Sequence, residues 1–334
     1  MSRTVEVEIW VNKKNITQNI SKYVNSVTYN DVLDGEANTA DITLHDVNHI
    51  WRENWFPQRG DEVKITLIKK NWDDEVSKLD LDFFEIDEIT NSYSSSGNTA
   101  QVKLNSVPQN SKLRSIDESK AWEKTTLKQI ASDIAAEAGM ELFYDTDSDP
   151  EVERAERSEQ SNLAFLKKLC KDNYLILTIS QGKLIICDEK KLEEQEAVLT
   201  LAYGSDLIKS FRMRTTISKI YKSCEVNYKN GKKSEQISGK FEDSSKSKGL
   251  TLKVNKKVAT QAEADKLAKN ELRNKNKKEF EGSITLIGTF LLSGQVIELE
   301  GHGKLDGKYI IEKSSHKVGS GYTTDITLRK CLDF

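Results

Sequence analysis

The side chains of this chain that could do chemistry are few in kind and scattered in position. Its four histidines are His45, His49, His302 and His316, and His316 lies in GKYIIEKSSHKVGSGYTTDITL (307–328), amid glycines, serines and alternating apolar residues. A catalytic zinc takes three side-chain ligands, and a general base needs a group to orient it. The histidines form no such set, so His316 is expected to be a surface or packing residue. If exposed, His316 and His302 can each be replaced by alanine with a change in folding of no more than about 0.5 kcal/mol.

Asp145, Asp147 and Asp149, with Glu156 eleven positions after the first, imitate a calcium loop. Pro150 stands where that loop needs a glycine-like sharp turn, and proline fixes φ negative, so a solvated acidic loop is favoured. Gly301, Gly303 and Gly307 in EGHGKLDGK lack the spacing and the following helix of a dinucleotide fingerprint, and are expected at strand turns. Glycoside hydrolysis needs two carboxyl groups held at a defined separation, and no local pattern singles out a pair among 53 Asp and Glu. No nucleophile elbow, H-E-x-x-H or Cys-His pattern is present. The sequence assigns no catalytic, cofactor-binding or metal residue and no cofactor, and the expectation is that the chain is not an enzyme.

These residues sit in a chain of 334, long enough for two or three domains. Cys170, Cys187, Cys224 and Cys331 form no C-x-x-C pair and suit a reducing compartment. The start, MSRTVEVEIWVNKK, does not read as a signal peptide, and no apolar run nears the roughly 18 residues that span a bilayer. Folding in the cytosol without stable membrane insertion is expected. The net charge of −3 hides a division: residues 1–205 carry 24 Lys+Arg against 37 Asp+Glu (−13), 206–280 carry 20 against 9 (+11), and 281–334 carry 6 against 7 (−1). The basic block is read first as solvated surface and next as complementary contact between subunits. Sequence-specific nucleic-acid binding ranks last, because aromatics are sparse there and no nucleic-acid motif appears.

The elements follow from periodicity. VEVEIWV (5–11), ADITLHD (40–46) and GDEVKITLI (60–68) alternate as strands, and FFEIDEI (83–89) and AQVKL (100–104) form a hairpin through Ser94–Gly97. After Pro108, TLKQIASDIAAEAG repeats at three-and-four spacing, with Thr126 and Gln129 as a capping box and Gly139 at its end. SNLAFLKKLCKDN (161–173) is a second helix with Leu163, Leu166, Leu169 and Cys170 inward, followed by a hairpin about Gln181-Gly182. Strands return from about residue 206 with a turn signal at Asn230-Gly231. A charged helix opens at Thr260 with Glu263, and EGSITLIG, GQVIELEG, GKYIIEKS and YTTDITLRK close the chain. The fold class is β-rich α+β, with two similar antiparallel β-barrels (1–108 and 206–334, the latter with the charged helix) flanking a small α+β insert (109–205).

The end answers to the beginning. GDEVKITL, FFEIDEI and AQVKL align with GQVIELEG, KYIIEKS and DITL, matching Gly60 with Gly294, Phe84 with Tyr309, Ile86 with Ile311, Val102 with Ile326 and Leu104 with Leu328. Val63, Ile65, Ile86 and Leu104 are expected in the first core, and Val296, Ile311 and Leu328 in the second.

In this order of motifs the chain resembles the phage late control D, or baseplate hub, proteins of contractile and long-tailed phage tails and their bacteriocin-like relatives. The resemblance is carried by the Gly60-Asp61 strand with its hairpin, by RSEQSNLAFLKKLCKDNYLILTISQGKLIICD (157–188), and by Gly288, Gly294-Gln-Val296, Gly307-Lys-Tyr309, His316 and Tyr322-Thr. Asn162 stands where the family usually has aspartate. The resemblance implies a structural hub of two similar barrels that assembles as a homotrimer, a pseudo-six-fold ring joining the tail tube protein to the central spike protein among other baseplate components. It places the chain in the tail baseplate of a virion or phage-tail-like particle assembled in the bacterial cytoplasm. The alternatives are a tail-associated peptidoglycan hydrolase and a carbohydrate-binding tail module.

Overall fold

The structure, a computed structural model, describes residues 3–334 apart from 54, 73–75, 96, 110, 117–118 and 230–235. The first part holds β1 (Thr4–Val11), β2 (Lys14–Asn15), α1 (Thr17–Ile20), β3 (Val24–Val32), β4 (Thr39–His45), β5 (Glu62–Lys70), β6 (Ser77–Ser94) and β7 (Gly97–Asn105). The middle holds β8 (Lys120–Thr126), α2 (Leu127–Glu137), β9 (Glu141–Asp145), β10 (Glu151–Arg157), α3 (Asn162–Asp172), β11 (Leu175–Ser180), β12 (Lys183–Asp188) and α4 (Glu189–Glu193). The last part holds β13 (Leu199–Ala202), β14 (Ile208–Thr215), β15 (Tyr221–Lys229), β16 (Gln236–Glu242), β17 (Leu250–Val254), α5 (Gln261–Asn276), β18 (Phe280–Ile287), β19 (Val296–Glu300), β20 (Gly307–Val318) and β21 (Tyr322–Lys330). The Asn230-Gly231 turn signal, and Ser96 of the Ser94–Gly97 turn, lie outside the described residues.

The fold is β-rich, and its two ends share one open sheet of 13 strands in the order β14-β18-β21-β20-β3-β4-β7-β6-β5-β1-β2, with β19 on β20 and β13 on β19. Alternation decides which face of each strand is buried: Ala40, Ile42 and Leu44 of β4 point inward while Asp41 and Thr43 are half-exposed. The sheet serves two cores. Ile9, Val27, Ile42, Val63, Ile65, Phe84, Ile86, Val102 and Leu104 make the first; Leu201, Ile284, Leu286, Ile297, Leu299, Tyr309, Ile311, Ile326 and Leu328 make the second. Val296 is buried in a separate small cluster with Leu33, Ile176, Cys187 and Ile310, where the two halves meet the insert.

The two halves share their irregularities as well as their strands. The β6–β7 ladder pairs Ile86 with Leu104, skips Asp87, and resumes at Glu88 with Lys103, which sets Ile89 opposite Val102. The β20–β21 ladder pairs Ile311 with Leu328, shifts between Ile311 and Lys313, and aligns Ser314 with Ile326. A second pair of shifts matches too: Val24 opposite Leu44 then Ser26 opposite Thr43 in β3–β4, and Ile208 opposite Leu286 then Ser210 opposite Thr285 in β14–β18. A bulge adds one residue to one strand and bends it, so a bulge at a matched position bends both halves alike.

The insert has its own core. α2 begins at Thr126, whose hydroxyl accepts the Gln129 amide at 3.3 Å, and α3 at Ser161, which accepts from Ala164 at 3.2 Å. Both helices pack on the β11-β12-β9 sheet through Leu127, Ile130, Phe165, Leu166, Leu177 and Ile186. β13, the last strand before residue 205, leaves this sheet and pairs in parallel with β19. Within the last part, β16-β15-β17 form a separate sheet covered by α5, with a small core of Cys224, Val226, Ala264, Ala268 and Leu272. The helix lies so close that a Cβ on Gly239 would fall 2.3 Å from the Ala264 carbonyl carbon, which explains a glycine inside β16.

Candidate functional site

The two halves meet where β20 divides its pairing. Val296–Leu299 of β19 pair with its beginning, and past the bulge Lys313–Val318 pair antiparallel with Val32–Val27 of β3. This seam is what makes one sheet of two, and His316 stands in it opposite Tyr29.

His316 is fully buried. Its Nε2 donates to the Leu291 carbonyl at 2.8 Å, which leaves Nδ1 to accept from the Tyr322 hydroxyl at 2.7 Å; the Thr324 hydroxyl donates to the Thr289 carbonyl at 2.6 Å. The ring stacks on Tyr29 and Tyr322, with centroids 5.8 and 6.1 Å away. Burial pushes its pKa from 6.5 down to about 4, against the opposing Leu291 hydrogen bond, so it is neutral at physiological pH. With both ring nitrogens engaged by the fold, it clamps the Thr289–Leu291 segment to the seam. Of the two expected roles, surface or packing, His316 takes packing, and the exposure on which alanine tolerance depended is not met: alternation along β20 puts Ser314, His316 and Val318 on the inner face. His302 is half-buried, stacked on Phe211 at 4.7 Å, so it too is a packing residue.

A polar knot lies beside the seam. Asn38, fully buried, donates to Asp82 at 3.2 Å and to the Tyr29 hydroxyl at 3.4 Å, while its side-chain oxygen accepts the Val32 amide at 3.1 Å. Asp82 also accepts amides of Phe83 at 2.9 Å and of Gln181, from the insert, at 2.6 Å. Burial raises its pKa from 3.8 to about 6, more than these hydrogen bonds lower it. Asp31 is likewise raised by burial, although it accepts the Ser293 amide at 2.6 Å. A raised carboxyl can mark a general acid. Asp82 is 1% exposed, however, and its neighbours are chain amides, so it reaches no cleft that a sugar could enter.

A third cluster ties the insert to the last part. Arg329 of β21, 1% exposed, contacts Glu193 at 2.7 Å and Glu189 at 2.8 Å from α4, and its Nε approaches Glu312, the bulge residue of β20, at 3.2 Å. Arg273 of α5 reaches Glu193 at 2.9 Å and the carbonyl of Phe334. Burial alone would lower the Arg329 pKa, but Glu189 and Glu193 hold the guanidinium charged; burial raises Glu189 while Arg329 and Lys277 bring it below the usual range. Sequence reasoning missed this cluster. Its one local sign is Glu189 and Glu193 four apart, on one face of a short helix.

The other chemical candidates are not gathered by the fold. Asp145 and Asp147 both bind Lys191, at 2.6 and 3.0 Å, and Asp149 caps α2 through the Lys128 amide at 3.0 Å, while Glu156 contacts Arg154 at 3.2 Å. Gly301, Gly303 and Gly307 have φ of +74°, +70° and +119° about the turn between β19 and β20. His45 ends β4, and His49 lies beside Arg52 in the following 3-10 turn. Cys170, Cys187 and Cys224 are buried, and Cys331 is half-buried. Among the described residues no group of three His, Cys, Asp or Glu is placed to hold a metal, and no helix is long and apolar enough to cross a membrane.

The family model described as phage tail baseplate hub (GPD) matches residues 86–322, which takes in the β20 side of the seam, the insert and the Arg329 cluster's acidic helix. The chain belongs to the phage tail baseplate hub family. It is a structural baseplate protein of a phage tail by that membership. Solved structures agree on the fold. The 43 kDa tail protein of prophage MuSo2 from Shewanella oneidensis superposes with a TM-score of 0.75 at 16% identity, covering 98% of both chains. A tail protein from Neisseria meningitidis gives 0.73 at 11% identity over 98% of this chain and 96% of its own. An Escherichia coli type VI secretion component gives 0.61 at 12% identity over 99% of this chain and 77% of its own. No curated protein matches the sequence.

Proposed function

We propose that the hub chain assembles as a homotrimer whose six similar β units form a pseudo-six-fold ring joining the tail tube to the central spike. The domains are 1–108, 109–205 and 206–334, the first and last each contributing a barrel-like unit. The observation that carries this is the matched pair of bulges in β3–β4 with β6–β7 and in β14–β18 with β20–β21: two units bent alike and joined edge to edge are the repeat that turns three-fold into six-fold symmetry. The structural similarity of the E. coli type VI secretion component to T4 bacteriophage tail proteins supports placing the ring in a contractile injection device. The work is mechanical. Buried His316 serves the seam between the halves, Asp82 and Arg329 tie the insert to the first and last parts, and no catalysis, cofactor or metal is assigned. Assembly takes place in the host cytoplasm.

Counting hub copies in an electron-microscopy map of the assembled tail tests the proposal. Three copies at the end of the tube are expected; two or six in that ring would sink it. A zymogram on bacterial cell walls separates the hydrolase alternative, and a glycan-binding assay the carbohydrate-binding one; clearing or binding by the purified chain would favour them.

A further inference from the structure

We infer that the outer half of β6, residues Glu88–Tyr93, is the docking edge for β14 of a second copy of this chain, joined antiparallel with Asn91 opposite Met213. This junction presupposes the trimeric ring proposed for the hub and supplies the strands that close it. It rests on an asymmetry within one chain. The seam between the halves uses Lys313–Val318 of β20 and Val27–Val32 of β3. Each of these has a counterpart in the other half, and the counterparts have not met.

The bulges fix the correspondence residue by residue. Ile86 opposite Leu104 matches Ile311 opposite Leu328, and Ile89 opposite Val102 matches Ser314 opposite Ile326, so Glu88–Tyr93 stand where Lys313–Val318 do. Val27 opposite Ile42 and Tyr29 opposite Ala40 match Phe211 opposite Ile284 and Met213 opposite Gly282, so 211–216 stand where 27–32 do. Among the described residues β5 pairs with β6 only as far as Glu85, leaving β7 as the sole strand beside Glu88–Tyr93, and β14 pairs with β18 alone. The chain thus carries one completed seam and, at two separate edges, both halves of another. Repeating the seam between copies sets Ile89 opposite Thr215, Asn91 opposite Met213 and Tyr93 opposite Phe211 on one face. Thr90 falls opposite Arg214 and Ser92 opposite Arg212 on the other.

The side chains favour that partner over others. Tyr93 is 75% exposed, and Ile89, Phe211 and Met213 are half-buried on the face that the junction would cover. β14 exposes Lys209, Arg212 and Arg214, whereas the bulge of β6 exposes Asp87 and Glu88. An open edge is a template for further pairing, and edge charges decide with what. Two β14 edges would bring arginines together, while β14 against β6 sets Arg212 and Arg214 opposite the neutral Ser92 and Thr90, with Glu88 diagonal to Arg214. That disfavours a two-fold joint between like edges and favours a head-to-tail one, which closes into a ring.

The test is a disulfide placed across the junction in assembled tails. Residues directly opposite in an antiparallel pair lie roughly 4.5–5.5 Å apart at Cα, within disulfide range, and a shift of two residues takes them out of it. Tails built with the N91C/M213C chain should yield, on oxidation, a reductant-sensitive covalent ring of hub chains. Wild-type tails and tails with N91C/T215C should not. Equal crosslinking by the two pairs, or none in tails that contain the hub, overturns the junction. Because cysteine variants can fail to assemble, a map of wild-type tails decides independently, with Asn91 expected opposite Met213 of a neighbouring hub. Three hub copies with β14 paired to a strand of another protein, or left unpaired, would overturn the junction and leave the trimer standing. A different copy number would overturn both.

Discussion

Gly60 and Gly294 donate the same hydrogen bond in the two halves of the chain. The Gly60 amide reaches the Ile86 carbonyl at 2.9 Å and the Gly294 amide the Ile311 carbonyl at 2.8 Å, with φ of +90° and +81°. The return bonds match too, Ile86 amide to Asp61 at 3.0 Å and Ile311 amide to Gln295 at 2.9 Å. Each glycine therefore turns the chain into the strand whose partner carries the bulge.

Alanine at either glycine should destabilise the fold by about 1–2 kcal/mol, the penalty of a side chain at positive φ. Gly294→Ala should lose more, because its Cβ would stand 3.2 Å from Leu33 Cδ1 while that of Gly60 meets nothing within 4 Å. Denaturant midpoints measure the difference. Equal stability of Gly60→Ala and wild type would remove the conformational role from the first turn.

The pH dependence of stability should show two opposing slopes. The folded pKa of His316 is depressed, so the unfolded chain takes up its proton first as pH falls, and stability is lost between about pH 6.5 and about 4. The folded pKa of Asp82 is raised, so the unfolded chain releases its proton first as pH rises, and stability is lost between about pH 4 and about 6. In the wild type the two slopes oppose each other. His316→Gln should expose the fall with rising pH, and Asp82→Asn the fall with decreasing pH, in chemical denaturation followed from pH 4 to 7. Parallel profiles for all three proteins would show that neither group is coupled to folding.

Strand alternation, helix caps and the repeated glycines were legible in the sequence because each is a local pattern. Val63, Ile65, Ile86, Leu104, Ile311 and Leu328 are buried in the expected cores, whereas Val296, buried too, faces the insert, and Ile297 takes its place in the second core. The single sheet through both halves was not legible, since β20 and β3 lie far apart in the chain and nothing local in either names the other. Which of the two roles, surface or packing, His316 takes was not legible for a related reason. Its neighbours Ser314 and Ser315 are small and polar, yet Ser314 is buried and donates to the Leu291 carbonyl at 2.6 Å. Arg329 likewise resembles the solvated end of a strand, and only α4, folded back from the insert, makes it interior.

Arg329→Met should cost about 3–5 kcal/mol, because it removes a buried cation from beside Glu193 and Glu189 and leaves them only Arg273 and Lys277. Adding Glu193→Gln should recover part of that loss, since the second change removes one of the buried carboxylates left in excess of cations. A double-mutant cycle in urea measures the coupling. Additive losses would mean that the cluster relaxes to water when broken.

Hub assembly should weaken as salt rises without vanishing. Residues 1–205 are net acidic and 206–280 net basic, and the β6 and β14 edges carry those signs locally through Asp87, Glu88, Lys209, Arg212 and Arg214. At physiological salt, charges attract through a screening length of about 8 Å, shrinking to roughly 3 Å at 1 M, so the electrostatic share of the interface fades. The apolar contact predicted around Tyr93, Phe211 and Met213 persists, because burial of apolar surface does not depend on screening. Sedimentation of tails across a salt series, scored by hub retention, follows the balance. Arg212→Glu with Arg214→Glu should lower retention most at low salt, where a carboxylate at position 214 would stand diagonal to Glu88 across the junction with least screening. A charge-reversed chain retained as well as wild type at every salt concentration would show that these edges do not meet.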